Sequence, residues 1–187
     1  MNKTLVCLAL VLLEFRPAWG ADYAIDPDHT LPVFEVNHLG FSTQRGRFDH
    51  TSGHIQLDVQ KRTGSVDWVI DAASINMGQM KWNDHMKSSD FFNVAQFPEI
   101  TYHADRFNFE GDVPVAAEGI LTLLGVAKPL RVSIQHFSCG INPINQKSLC
   151  AADITATLHR ADFGMTKYLP AVSDEVKVLV PVEAYLQ

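Results

Sequence analysis

Apolar residues fall at every second position through most of this 187-residue chain, and no other feature limits its fold so much. A side-chain period of two belongs to a strand with one face buried and the other in water. Phe34, Val36 and His38 share one parity, with Glu35 and Asn37 on the other. The same alternation runs through Ile55, Leu57 and Val59, then Val66, Trp68 and Ile70, then Ile100 and Tyr102 leading to Phe107 and Phe109. It resumes in Leu121 and Leu123, in Leu130, Val132 and Ile134, in Ala152, Ile154, Ala156 and Leu158, and in the valines at 176, 178, 180 and 182. These runs predict about eight strands in an all-β chain. Turn residues separate them at Thr51-Ser52-Gly53, Arg62-Thr63-Gly64, Glu110-Gly111-Asp112 and Gly125 through Pro129. One stretch breaks the rhythm: residues 80–92 predict a helical insertion, with a short helix over 81–88 and Trp82, Met86 and Phe92 turned toward the protein as a plug or lid.

One-sided antiparallel strands need either a second sheet or closure on themselves. Long strands joined in order by short turns favour an eight-stranded up-and-down barrel, although a sandwich fits the same pattern. Such a barrel has room for one small ligand. The inward parity mixes Ala152 and Ala156 with large side chains, which fits a cavity or ordinary jigsaw packing.

Apolar residues make up 47% of the chain and charged residues 19%, so disorder is excluded. The net charge is −6 and no block of Lys or Arg appears, so a nucleic-acid partner is not expected.

Residues 1–20 read as a secretory signal peptide. Lys3 precedes an apolar run from Leu5 to Leu13, and Ala18-Trp19-Gly20 offers small residues for cleavage before Ala21. That run, as a helix, spans about 14 Å, too short to cross a bilayer core. Residues 21–187 then form one exported domain without stable membrane insertion. Cys139 and Cys150 remain in it, bracketing a polar loop between two strand-like runs. In an oxidising compartment they are expected to form a disulfide contributing roughly 3 kcal/mol.

No catalytic residues, metal site or cofactor site stands out. The chain has no G-x-S-x-G motif and no phosphate loop. His50 and His54 flank an extended segment and lie too far apart for one ion, unless the intervening residues turn. His38, on an apolar face, reads either as a structural histidine or as a polar contact deep in a pocket. Arg45 and Arg47 form the one compact basic pair and read as a solvated turn or as a rim site for an anionic headgroup.

Ordered motifs spread over residues 23–185 resemble the YceI-like family of exported polyisoprenoid-binding proteins. They are Ile25-Asp26-Pro27-Asp28-His29-Thr30, Phe34 through Gly40, Arg45 through Phe48, Asp84 through Phe92, Phe97 through Tyr102, Leu121 through Leu130, Arg160 through Met165, and Asp174-Glu175-Val176. The resemblance implies a lipocalin-like barrel in the periplasm, with a cavity for an isoprenoid or other long-chain amphiphilic lipid and no catalysis. Some members are dimers, so it also allows a homodimer. Shared parity nominates Phe34, Val36, His38, Phe48, Leu57, Trp68, Ile70, Tyr102, Leu123, Ile154 and Val178 as the lining. Two readings compete with a carrier: a stress-response or interaction protein with a filled barrel, and a lipid-modifying enzyme using His38 with a rim arginine.

Overall fold

A computed structural model describes residues 20–187. The expected signal peptide lies outside the described residues except for Gly20. Eleven strands form one sheet: β1 (Ala21–Ile25), β2 (Val33–His38), β3 (Ser42–Phe48), β4 (Thr51–Asp58), β5 (Thr63–Asp71), β6 (Ile75–Asn76), β7 (Glu99–Glu110), β8 (Val113–Leu123), β9 (Val126–Ile141), β10 (Ser148–His159) and β11 (Val172–Leu186). A helix, α1 (Met80–Lys87), lies between β6 and β7. It occupies the first part of the expected insertion. Residues 88–92 form turns instead of more helix.

The pairing order β1-β4-β5-β7-β8-β9-β10-β11 returns to β1, so eight strands close an antiparallel barrel. Closure leaves no sheet edge in the ring. The remaining strands, β2, β3 and β6, extend the sheet from β11. β11 spans both systems. Residues 184–186 pair with β1, and residues 172–179 pair with β2.

The expected eight strands therefore need two corrections. The run at Phe34 to His38 is β2, outside the closed ring, and the place it was given in the ring belongs to β1. β3 carries Gln44, Gly46 and Phe48 on its inward parity, too little apolar matter to announce a strand. Gly46 fits because the site of a side chain is already taken: an added Cβ would stand 2.5 Å from Phe34 Cζ and 2.4 Å from Met77 Sδ. The turn expected at Thr51-Ser52-Gly53 is instead the first part of β4, where Gly53 pairs with Trp68.

Two tight hairpins share one chemistry. Leu39-Gly40-Phe41 joins β2 to β3 and Leu124-Gly125 joins β8 to β9, with φ of 57° and 75° at Leu39 and Gly40 and of 52° and 71° at Leu124 and Gly125. Two successive positive φ values make a type I′ turn, whose twist matches the flanking strands. A glycine at the second position meets the requirement without steric cost.

Cys139 and Cys150 form a disulfide across paired positions of β9 and β10, with Cα atoms 4.0 Å apart. It closes the base of the polar loop, as the sequence predicts.

Candidate functional site

The inward faces of the strands do not fill the barrel. They surround a cavity of about 410 Å³, within the range of small-molecule pockets. Its walls are almost wholly aliphatic and aromatic, for the reason the alternation gave. Every second residue of a closed strand points to the axis, and those residues are the apolar ones.

All eleven nominated lining residues border this space. Phe34, Phe48 and Phe92 meet near one end with ring centroids 5.3 to 6.3 Å apart. The small residues Ala152 and Ala156 also lie on the wall. Trp82 and Met86 join Phe92 there, as expected of a plug.

The buried polar side-chain atoms of the wall find protein partners. The indole N–H of Trp68 donates to the Thr51 hydroxyl, which donates to the Val69 carbonyl at 3.1 Å. The Tyr102 hydroxyl has the carbonyls of Leu130 at 3.2 Å and Ala117 at 3.4 Å as acceptors. Burial, with Glu118 adding to it, pushes the phenol up to about 12, since a buried phenolate would lose its hydration.

The cavity opens at the end where β4, β7, β9 and β11 begin. Trp82 and Tyr168 line it there while remaining about half exposed. Two chain segments close over this mouth. One is α1 with the turns after it; the other joins β10 to β11. His85 stacks edge-on against Phe91 at 5.1 Å and Tyr168 at 6.0 Å. Asp90 ties the segments electrostatically, with His85 Nε2 at 3.3 Å and Lys167 Nζ at 3.4 Å. The His85 hydrogen bond, opposed by partial burial and aided by Lys167, holds the Asp90 carboxyl below its ordinary value.

Arg160 fixes the second segment, and nothing in the parity pattern pointed to its role. Its side chain is buried, 3% exposed. Nε donates to the Ser173 carbonyl at 2.8 Å; Nη1 donates to Met165 and Lys167, and Nη2 to Val172, each at 2.9 Å. One planar fork thus holds the loop carrying Tyr168. Burial lowers the Arg160 pKa from its ordinary value while Asp174 opposes the shift.

His38 is at the mouth, exposed, and not deep in the pocket, because β2 ends there. Seven of the eight histidines lie within 4 Å of an aspartate: His29, His50, His54, His85, His103, His136 and His159. His38 is the exception, and Gln44 lines the cavity on neighbouring β3. His50 and His54 face different aspartates, Asp71 and Asp22, so they do not converge on one ion.

Arg45 and Arg47 do not join the lining. They occupy the outward parity of β3 and bond to Glu35 at 2.7 Å and Asp49 at 2.6 Å. One group of metal-competent side chains occurs among the described residues: Asp26, His29 and Glu183, with ligand atoms within 4.8 Å. His29 already bonds Asp26 at 2.7 Å. That bond, with the charges of Asp26 and Glu183, raises the His29 pKa. None of the three borders the cavity.

A family model described as the YceI-like domain matches residues 23–184. A protein of Pseudomonas aeruginosa strain PAO1, described only as a UPF0312 protein, is 32% identical over 192 residues, covering 100% of both chains. Protein YceI of Salmonella arizonae is 30% identical at the same coverage. The crystal structure of Burkholderia cenocepacia BcnA superimposes with a TM-score of 0.72 at 21% identity, over 85% of this chain and 98% of that one. A polyisoprenoid binding domain from Saccharophagus degradans, implicated in plant cell wall breakdown, gives 0.66 at 18%, over 88% and 98%.

Proposed function

This chain belongs to the YceI-like family, and from that premise we propose that its barrel holds a polyisoprenoid or similar long-chain amphiphilic lipid. It acts as a periplasmic carrier or sequestering protein and does no chemistry on the lipid. The signal peptide over residues 1–20 delivers residues 21–187 as one barrel domain. The observation that carries the reading is the apolar cavity of about 410 Å³, whose exposed lining residues, His38, Trp82, His85 and Tyr168, gather at one end. The Saccharophagus degradans domain is described as polyisoprenoid binding and lends a ligand class to test.

Burying a hydrocarbon chain contributes about 0.8 kcal/mol per methylene, so ten methylenes give about 8 kcal/mol before ordering costs. That favours recognition by shape, with the tail inside and the polar head at the mouth. His38 and Gln44 are the groups we assign to the head. Arg45 and Arg47 are engaged by Glu35 and Asp49 on the outside. A barrel filled by its own side chains, the competing reading, would have native packing density throughout, and the cavity weighs against it.

Lipid extraction and native mass spectrometry of gently purified protein test the proposal. A co-purified prenyl or acyl lipid is the expected result. Repeated recovery of empty protein that takes up no added prenyl chain would sink it. Ala156→Phe should reduce uptake by filling the wall, and Trp68→Arg should abolish it, each with the far-ultraviolet spectrum preserved.

A further inference from the structure

The eight ring strands pair all the way round, so a ligand enters at an end of the barrel and not between strands. The exposed lining residues gather at the mouth, and the route in lies there. It passes under two segments, α1 with its turns and the β10–β11 connection.

These segments are held very differently. The β10–β11 connection is pinned by the buried Arg160 fork on the carbonyls of Met165, Lys167, Val172 and Ser173. The β2–β3 hairpin pins it again, where the Leu39 N–H donates to the Ala171 carbonyl at 2.7 Å. α1 is held by less. None of its eight residues is buried, and Gln79 gives its first turn no side-chain cap. The Met77 N–H donates to Asn83 Oδ1 at 2.7 Å, and Met86 packs partly against the core. A short, uncapped helix that buries no residue lies at the low end of local stability.

Its flanks suit a moving leaf. Gly78 precedes it at φ 80°, with open space where a side chain would stand, so the backbone can turn there without meeting a neighbour. Phe92 follows it, packed between Phe34 and Phe48 in the core, and fixes the other end.

Asp90 links the leaf to the pinned connection. One of its oxygens stands 3.3 Å from His85 Nε2 on α1, and the other 3.4 Å from Lys167 Nζ. The His85 ring also meets Tyr168 at 6.0 Å. An ion pair this exposed to water makes a weak closure.

We propose that α1 is a gate over the mouth, turning between Gly78 and Phe92, with the chain His85–Asp90–Lys167 as its latch. The gate regulates entry to the cavity assigned above, and rests on that reading for its purpose. Neither Asp90 nor Lys167 lines the cavity. The latch therefore sets how fast a lipid enters and leaves, and not how tightly it is held.

Stopped-flow uptake and release of a fluorescent prenyl probe tests this, together with amide hydrogen exchange of the ligand-free protein. A two-turn helix does not hold by itself, so opening bares its amides. Asp90→Ala should raise the uptake and release rates by the same factor, about three- to tenfold, leaving their ratio as in the wild type. Exchange should quicken in α1 and not in the ring strands. Added salt should speed the wild type by screening the ion pair and leave Asp90→Ala unchanged. Asp112→Ala, which breaks the exposed pair with Arg62, should behave like the wild type. Unchanged rates in Asp90→Ala overturn the gate. A rise in release alone overturns it too, by assigning Asp90 to the lipid head, as does exchange that quickens throughout the barrel. If no protein takes up the probe, the cavity reading falls by itself, and exchange in α1 decides the gate: faster in Asp90→Ala supports it, unchanged overturns it.

Discussion

The hydroxyl of Tyr102 sits in an apolar wall with only two carbonyls for company. Replacement by Phe removes a hydrogen bond of about 1 kcal/mol and little packing, so Tyr102→Phe should lower stability by that amount in urea titration. Ultraviolet titration should show one phenol ionising near 12, later than an ordinary tyrosine, and absent from the variant. The sign follows from the raised value. The phenol's contribution to stability is complete below its unfolded pKa near 10 and is lost as pH rises through about 12. At this scale parity was a sound guide: the alternation that marks a strand also marks which side chains meet inside a closed one. It was silent on Arg160, whose partners are backbone carbonyls of residues 165 to 173. It also cannot tell how far along a strand the cavity reaches: His38 shares the parity of Phe34 and Val36, yet lines the cavity only at its exposed end.

Strands with strong alternation were legible as elements, and those without it were not. β1 is short, and β3 presents glutamine, glycine and one phenylalanine inward, so neither declared itself. The helix was legible because it interrupts the alternation. The connection from β10 to β11 depends on Arg160. Arg160→Lys keeps the charge but replaces a five-donor fork with three donors that cannot span four carbonyls. It should cost roughly 2–3 kcal/mol. Limited proteolysis should then cut between Met165 and Val172 sooner than in the wild type. An unchanged melting temperature and cleavage pattern would refute the clamp.

For the molecule as a whole, alternation left barrel and sandwich open, and the long-range pairing of β11 with β1 decides between them. That pairing is carried by backbone hydrogen bonds from opposite ends of the chain, which no local pattern encodes. The cavity was likewise undecided, since Ala152 and Ala156 fit tight packing as well as open space. β11 touches β10 along its length, β1 near its end and β2 near its start. A one-residue slip would break three registers together and turn its valines outward. Its amide hydrogens should therefore exchange with deuterium only through global unfolding; fast exchange in Val176–Ala184 would contradict this. A chain cut after Val178 should fail to fold instead of yielding a shorter barrel. Synthesis on the ribosome makes this strand after the other seven of the ring, so the emerging barrel stays an unsealed sheet, exposed to premature aggregation, until residues 172–186 arrive.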